Sequence, residues 1–288
     1  MNVGIITAAS EKYANSLYTL LGSLKGNWPD HPPVVVYDLG LEESTLSYLS
    51  KCGVTVKDIP AFCKHWKAHY TWKVWCMNNA EFDVIIWMDA GMCILEPLDE
   101  IINIIKKRSY FLVPNYQFLD YEVSAAACEA CGVPYSFRIG KGTIAGTFIG
   151  FLKNGLFGKI IAEVMEIALV EKNIMAYAPK HKHDQSIIST LTYKYFPNPE
   201  LEDGLIYLGW KSPRMVSGQK VWLQRRQVLK EDIRIYKRNL ESDVARRYIP
   251  KDPHKDINVV RRVFRISKFR LKVMASKMLK KQRTDGIR

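Results

Sequence analysis

The sequence predicts an α/β fold with a mixed, mostly parallel sheet flanked by helices. Short apolar runs that suit buried strands alternate with stretches of helical spacing over roughly the first 200 residues. Gly and Pro stand at the ends of several helical stretches, where they terminate helices. Hydrophobic residues make up 48% of the 288-residue chain, which is enough to fill one large core.

The first half of the chain alternates regularly between the two kinds of element. The predicted strands are residues 2–8, 34–37, 54–59 and 84–88. The predicted helices are residues 14–25, 42–50 and 66–80, the last one rich in aromatic residues. Strands and helices of these lengths in alternation indicate parallel strands joined by crossover helices.

The second half predicts a longer mixture of elements. A helix opens at Pro97 with two acids in its first turn, and residues 110–113 and 143–151 are predicted strands. Helices are predicted at residues 156–170 and 184–195. After Pro213 the composition turns basic and the strand pattern ends. We therefore expect an α/β domain over residues 1–215 and a helical, basic extension over residues 216–288.

One acid stands at the end of the most apolar strand. Val84 to Met88 is a continuous apolar run, typical of a strand buried on both faces, and Asp89 follows directly. Ala90 and Gly91 then leave room for a ligand. Ligands of open α/β sheets bind beyond the carboxyl ends of the strands, so Asp89 is a candidate for a metal ion or a sugar hydroxyl. The alternative is an ordinary acid in the loop after a core strand.

Four segments in chain order resemble the GT-A fold glycosyltransferases, closest to the glycogenin-like and bacterial lipooligosaccharide galactosyltransferase group. The segments are residues 7–24, Trp72-Lys73, residues 87–91, and residues 145–151 together with 183–186. The resemblance covers roughly residues 2–212 and implies a Rossmann-like GT-A domain that binds a nucleotide-sugar.

The resemblance implies roles for residues at two places before the acidic strand. The loop after the first strand would hold the nucleotide base, with Thr7, Ala8, Ala9 and Tyr13, and Tyr13 would stack on a uracil ring. Lys73 would contact the nucleotide diphosphate. The alternatives are a core aromatic at a helix start for Tyr13 and a solvated helix lysine for Lys73.

The family's Asp-x-Asp motif holds Mn²⁺ or Mg²⁺, which neutralises the leaving nucleotide diphosphate. Here the matching residues are Asp89-Ala90-Gly91, so Asp89 is the candidate ligand and the second carboxylate is missing. Fewer protein ligands, a later substitute residue, or catalysis without metal would each fit. In the last case Lys73, Lys211 or Arg214 would stabilise the diphosphate.

Two later segments complete the implied site. Ala145, Gly146 and Thr147 would line the donor-sugar pocket, and Asp184-Gln185 match the family's Asp-Gln pair near the sugar and acceptor. Asp184 would bind sugar hydroxyls or act as a general base. The alternative for Asp184 is a helix N-cap.

Lys211 lies in a segment, residues 207–213, that loosely matches the family's late Gly-x-x-Lys-Pro-Trp segment. The resemblance implies that Lys211 contacts the diphosphate. The family's metal-binding His does not precede it at the expected distance, which weighs against a metal.

Other histidines and cysteines give weaker signals. His65 and His69 stand four residues apart, a spacing that can suit zinc, but the catalytic Glu of the zinc-protease pattern is missing, so the pair is interpreted as structural. The six cysteines form no disulfide framework and are expected to be reduced core thiols. Cys128 and Cys131 form a single CxxC, for which a metal or redox role is the lesser alternative.

The C-terminal tail carries most of the net charge. From Asp256 to Arg288 there are 11 Lys and Arg against 2 Asp and Glu, which is +9 of the total +13. Residues 257–283 predict an amphipathic helix that lies on an anionic membrane surface. Its basic face has Arg261, Arg265, Lys268 and Lys272, and its apolar face includes Phe264 and Leu271. The alternatives are a helix packed on the domain, or nucleic-acid binding, for which no recognition motif is evident.

These patterns together predict a glycosyltransferase held at the cytoplasmic face of the inner membrane of a bacterium. It would move a sugar from a UDP-sugar or related nucleotide-sugar to a lipid-linked or cell-surface glycan such as lipopolysaccharide or capsule. We expect no transmembrane helix and no secretion signal. The competing hypotheses are a nucleic-acid-binding protein that uses the basic tail and a catalytically weak, sugar-binding GT-A homologue.

Overall fold

A computed structural model describes residues 1–175, 182–202, 204–208, 218–223 and 230–250. Lys211, Arg214 and the predicted membrane helix at residues 257–283 lie outside these described residues.

The described elements follow the predicted alternation. The strands are β1 Val3–Ala9, β2 Val34–Asp38, β3 Thr55–Asp58, β4 Val84–Met88, β5 Met92–Ile94, β6 Tyr110–Phe118, β7 Gly142–Leu152, β8 Ile206–Tyr207 and β9 Val221–Leu223. The helices are α1 Ala14–Asn27, α2 Glu43–Lys51, α3 Thr71–Asn79, α4 Asp99–Arg108, α5 Leu119–Glu122, α6 Ala125–Ala130, α7 Leu156–Ala168, α8 Glu171–Ile174, α9 Asp184–Tyr195 and α10 Lys230–Glu241. Short 3-10 helices lie at Glu11–Tyr13 and Tyr135–Arg138.

The central sheet is mixed and mostly parallel, as predicted. Its strand order is β3-β2-β1-β4-β7-β6. The first four strands in this order run parallel, whereas β7 is antiparallel to both β4 and β6. The carboxyl ends of β1 and β4 therefore lie side by side, with Ile6 paired to Trp87.

Alternate residues of the central strands fill two separate cores. Ile85 and Trp87 of β4 pack on one side, in the core shared with α3, α7 and α9. Ile86 and Met88 pack on the other side, with residues of α1 and α4. Burial on both faces explains why residues 84–88 are apolar without alternation, and it confirms the strand predicted there.

The helix predicted at residues 66–80 begins later than expected. His69 and Tyr70 have φ angles of 57° and 61°, in the left-handed region, so the α-helix starts only at Thr71. Residues 121–135, which the sequence pattern left unassigned, contain the short helix α6.

The strand pattern does not end at Pro213, contrary to the sequence prediction. Residues Val221–Leu223 form β9, which pairs antiparallel with β5 and parallel with β8. This three-residue strand is too short for a periodicity to reveal it.

Helix α10 packs directly on α1. Tyr236 is fully buried, and Gly22 lies so close that a Cβ there would meet the Tyr236 backbone oxygen at 2.3 Å. Asn239 donates to the Gly22 carbonyl oxygen at 3.3 Å. Residues 221–223 and 230–241, which fall in the predicted extension, are thus packed on the α/β body. Within the described ranges, no helix is long and apolar enough to span a membrane.

Candidate active site

The candidate site lies where β1 and β4 end, beside the middle of β7. Asp89 follows β4, and its backbone N–H donates to the Thr147 carbonyl oxygen at 2.9 Å, which fixes the turn against β7. Helices α3 and α9 begin over the same edge of the sheet and bring Lys73 and Asp184 to it. Three segments far apart in sequence therefore converge on one place.

Lys73 is the centre of this cluster. Its ammonium donates to Asp89 Oδ1 at 3.0 Å and to the Gly146 carbonyl oxygen at 3.1 Å. It also lies 3.9 Å from Asp184 Oδ2. The side chain is only 7% exposed, so Lys73 is a buried cation between two carboxylates and not a solvated helix lysine.

Burial and charge act in opposite directions on the two ionisable groups. For Lys73, burial lowers the pKa, but Asp89 and Asp184 together outweigh it, and the pKa lies above its ordinary value. For Asp184, burial raises the pKa to about 6; the Lys73 ammonium opposes this rise and Asp89 adds to it. Lys73 therefore stays charged at neutral pH, whereas Asp184 titrates just below neutral pH.

Asp184 is not a helix N-cap. It is the first residue of α9, and the capping position belongs to His183, whose side chain makes no capping hydrogen bond. His183 has φ 51° and ψ −128°, a backbone conformation that residues other than Gly rarely adopt. This backbone turns Asp184 inward, where it is buried.

Four predicted site residues have a buried polar atom without a hydrogen-bond partner among the described residues, and Thr7 Oγ1 and Thr147 Oγ1 are two of these atoms. The other two lie beside Gly146. They are Asp184 Oδ2 and Gln185 Nε2. Both residues border Gly146, where an added Cβ would lie 3.4 Å from Asp184 Oδ2 and 3.7 Å from the Gln185 Cβ. An acceptor and a donor without partners cost free energy unless a ligand pairs with them. A sugar hydroxyl is both donor and acceptor, so it can satisfy the two atoms.

Aromatic rings surround the lysine. The Trp87 indole N–H donates to Asp89 Oδ1 at 3.2 Å, the same oxygen that Lys73 binds. The Lys73 ammonium also lies 5.3 Å from the ring centres of both Tyr70 and Trp87. The sequence pattern identified Trp87 only as a core residue; a tryptophan two residues before an acid at a strand end was the signal that could have found its polar role.

The residues predicted for the nucleotide loop are mostly strand residues: Thr7, Ala8 and Ala9 end β1, and only Tyr13 follows the strand. Thr7, Ala8 and Ala9 are buried, and Thr7 Oγ1 has no hydrogen-bond partner among the described residues. Tyr13 is 41% exposed in the short 3-10 helix, so it is not a core aromatic and its ring is accessible to a ligand. On the other side of the cluster, Ala90 is buried.

The remaining predicted residues divide between this site and the undescribed part of the chain. Gly91 is half-buried directly after Ala90, and Ala145 is buried in β7 next to Gly146. The structure thus brings the predicted residues of β1, α3, β4, β7 and α9 together at one edge. Lys211 lies outside the described residues, as do all six predicted membrane-contacting residues.

The residues at Asp89 do not fit a divalent cation. Mn²⁺ and Mg²⁺ need several oxygen ligands, whereas Asp89 is the single carboxylate of its motif and Gly91 has no side chain. Its Oδ1 is already bound to the Lys73 ammonium and the Trp87 indole. Among the described residues, no group of three or more His, Cys, Asp or Glu is arranged to hold a metal ion.

The other histidines and cysteines take part in packing. His65 is buried, with its Nε2 2.8 Å from the Ala168 carbonyl oxygen. The thiols of Cys128 and Cys131 are free and buried, and burial raises the pKa of both, that of Cys131 to about 12. Thiols with raised pKa values are poor nucleophiles, so these are core thiols and not a redox pair.

No protein-family model and no curated protein matches this chain. Many solved structures resemble it, among them two glycosyltransferases. One is the galactosyltransferase LgtC in complex with donor and acceptor sugar analogs, with a TM-score of 0.50 and 12% identity over 86% of this chain and 98% of that chain. The other is the apo structure of the bifunctional glycosyltransferase WbbM, with a TM-score of 0.54 and 11% identity over 83% of this chain and 49% of that chain. The chain spans about half the length of WbbM. These likenesses show that the chain has the GT-A glycosyltransferase fold.

Proposed function

We propose that this protein is a glycosyltransferase that uses a nucleotide-sugar donor, with UDP as the nucleotide. The observation that carries the proposal is the pair of buried atoms Asp184 Oδ2 and Gln185 Nε2 beside Gly146, neither of which has a hydrogen-bond partner among the described residues. A donor sugar bound next to Gly146 would pair with both. The fold supports the proposal, because solved structures with the same fold are glycosyltransferases.

Each part of the site has a role in this proposal. Thr7, Ala8, Ala9 and Tyr13 hold the base, with the exposed Tyr13 ring stacked on uracil. Ala90 and Gly91 leave room for the diphosphate, and Lys211 contacts it. Gly146 and Thr147 line the sugar pocket, whereas Ala145 packs in the core on the other face of the sheet. Asp184 accepts a hydrogen bond or a proton from a sugar hydroxyl, and Gln185 donates a hydrogen bond to the sugar.

The proposal is tested by a donor-hydrolysis screen of UDP-, GDP- and CDP-sugars with two variants. Asp89→Ala removes the Lys73 counter-ion, and Asp184→Asn removes the proton acceptor. Asp184→Asn is expected to lower hydrolysis by at least about a hundredfold, the usual effect of losing a general acid or base. Asp89→Ala should also lower hydrolysis, because it leaves the Lys73 ammonium without its hydrogen-bonded carboxylate. Asp58→Asn, at an exposed acid ending β3, is the matched control and should keep full activity.

Three outcomes separate the hypotheses. Full hydrolysis by a folded Asp89→Ala protein would show that the site is assigned wrongly. Binding of a nucleotide-sugar without any hydrolysis or transfer would favour the catalytically weak, sugar-binding homologue. A gel shift with nucleic acid at physiological salt, without a response to any nucleotide-sugar, would favour the nucleic-acid-binding hypothesis.

We further propose that the acceptor is a lipid-linked or cell-surface glycan and that the tail holds the enzyme at the cytoplasmic face of the inner membrane. What supports this is the excess of 11 basic over 2 acidic residues from Asp256 to Arg288. Basic residues near an anionic surface each contribute about 1 kcal/mol. A protein on that surface would meet both a soluble donor and a membrane-anchored acceptor.

Liposome flotation tests the membrane proposal. The full chain should float with anionic vesicles and not with neutral ones. Removal of residues 257–288 should abolish flotation and leave donor binding unchanged. Substitution of Arg261, Arg265, Lys268 and Lys272 by Gln should weaken flotation in the same direction. Equal flotation of the full and shortened chains would contradict the proposal.

A further inference from the structure

We infer that the Lys73 ammonium is the built-in cation of the donor site, so that nucleotide binding and turnover do not depend on a divalent metal ion. The inference rests on the proposed function, since it concerns how that site accommodates a nucleoside diphosphate.

The ammonium occupies the place for which a metal ion would compete. It lies 3.0 Å from Asp89 Oδ1 and 3.9 Å from Asp184 Oδ2. These two acids are the carboxylates of the cluster, and a metal ion that bound both would have to displace Lys73. Gly91 contributes no further oxygen from a side chain.

Displacement of the lysine would be unfavourable. The Gly146 carbonyl oxygen accepts a hydrogen bond from the ammonium at 3.1 Å, and the Tyr70 and Trp87 rings lie on its other sides. The Lys73 side chain is only 7% exposed. A buried ammonium without its carboxylates, next to a divalent ion, would suffer both desolvation and repulsion.

The ammonium also changes the charge that a diphosphate meets. With Lys73 protonated, the charge of Asp89 is balanced by a partner fixed at hydrogen-bond distance. This pairing weakens the repulsion between Asp89 and the donor phosphates without a metal ion, which serves that purpose in an Asp-x-Asp site. In this chain a buried lysine compensates the charge of Asp89, and the motif has no second acid that would help to bind a metal ion.

The test uses the full chain, with UDP and Mn²⁺ as probes. Calorimetry should give the same Kd for UDP, within twofold, in excess EDTA and in millimolar Mn²⁺. Electron paramagnetic resonance should detect no protein-bound Mn²⁺ in the UDP complex beyond that held by UDP itself. Donor hydrolysis should be equally insensitive to EDTA.

Two lysine variants sharpen the result. Lys73→Gln keeps the size of the side chain but exposes the two carboxylates to each other, and it should weaken UDP binding at least tenfold in EDTA. Added Mn²⁺ should restore part of that loss, because the cation position is then open. Lys106→Gln, at an exposed lysine in α4, is the control and should behave as the wild type does.

The wild-type comparison decides the inference even if Lys73→Gln fails to fold. UDP binding that tightens tenfold or more with Mn²⁺, or hydrolysis that EDTA abolishes, would overturn the inference and leave the proposed function standing. Failure of every nucleoside diphosphate to bind under either condition would overturn the proposed function and this inference with it.

Discussion

Asp184 shows how burial alone can set the working pH of a residue. Water is replaced around it by β7 and α3, and this raises the pKa of its carboxyl to about 6 despite the nearby Lys73 ammonium. The position depends on His183, whose left-handed backbone begins α9 and directs the carboxylate inward. Asp184 thus acquires its raised pKa from its place in the fold.

We predict that donor hydrolysis falls as pH drops through about 6. The proposed proton acceptor is the carboxylate form of Asp184. This form is lost when the group is protonated near its pKa of about 6. The measurement is kcat against pH from 5 to 8 for the wild type. A rate that stays flat across pH 6 would contradict the assignment of Asp184 as the proton acceptor.

The same shift predicts a stability effect of the opposite sign. An acid whose pKa rises from 3.8 in the unfolded chain to about 6 in the folded protein loses stability as pH rises between those values. Asp184→Asn should therefore gain more stability relative to wild type at pH 8 than at pH 5, by on the order of 1 kcal/mol. Urea denaturation of both proteins at the two pH values measures this difference. A difference that is independent of pH would contradict the shift.

Two of the three glycines of strand β7 serve different purposes. Gly146 leaves space beside Asp184, whereas Gly150 makes room for packing: a Cβ there would lie 2.4 Å from Ile105 Cδ1. One glycine belongs to the site and the other to the core, four residues apart on the same strand.

We predict that alanine at the two positions separates activity from stability. Gly146→Ala should lower donor hydrolysis at least tenfold and change the free energy of unfolding by less than about 1 kcal/mol, because its Cβ meets no atom closer than 3.4 Å. Gly150→Ala should destabilise by about 1–3 kcal/mol through overpacking, with kcat retained in the folded fraction. The measurements are hydrolysis rates and urea midpoints; equal effects of the two changes on activity would contradict this division.

The elements differ in how far the sequence could predict them. The strand at residues 84–88 was predicted with its observed bounds, because burial on both faces leaves an unbroken apolar run. The start of α3 was missed, because the left-handed backbone at His69 and Tyr70 depends on tertiary contacts that residue type does not reveal. Strand β9 was missed because three residues show no period.

The sequence predicted the residues of the site but not the hydrogen bonds and ion pairs that connect them. Asp89, Lys73 and Asp184 follow from their order in the chain and the resemblance that this order carries. Their mutual contacts depend on the register that pairs Met88 with Phe148 and on a main-chain oxygen at Gly146. Neither is visible in the sequence, and the contacts decide whether Asp89 is available to a metal ion.

At the scale of the whole molecule, α10 is part of the body. It buries Tyr236 and Leu240, and its close approach requires glycine at positions 22 and 26 of α1. At Gly26 a Cβ would lie 2.6 Å from the Arg246 backbone oxygen. The α/β domain is therefore completed by chain that follows the predicted boundary at residue 215.

We predict that the chain can be shortened to residue 250 and not to residue 229. Residues 1–250 should keep the Tm and the donor affinity of the full chain. Residues 1–229 should lose several kcal/mol of stability, since burial of Tyr236 and Leu240 contributes about 1.5–3 kcal/mol for each side chain. Thermal unfolding measures both. Gly22→Ala in the full chain is the point-mutation counterpart and should also lower the Tm; an unchanged Tm in 1–229 would contradict the role of α10.

The contacts that hold the chain just before residue 250 determine which part of the domain would bear mechanical load applied to the tail. Asn27 holds this segment: its Nδ2 donates to the Tyr248 and Ile94 carbonyl oxygens, and the Tyr248 N–H donates to its Oδ1. Mechanical load on the following chain would pass through Asn27 to β5, which begins three residues after Asp89. A tail fixed to a surface would then bear, through Tyr248 and Asn27, on the strand that follows the turn carrying the acid.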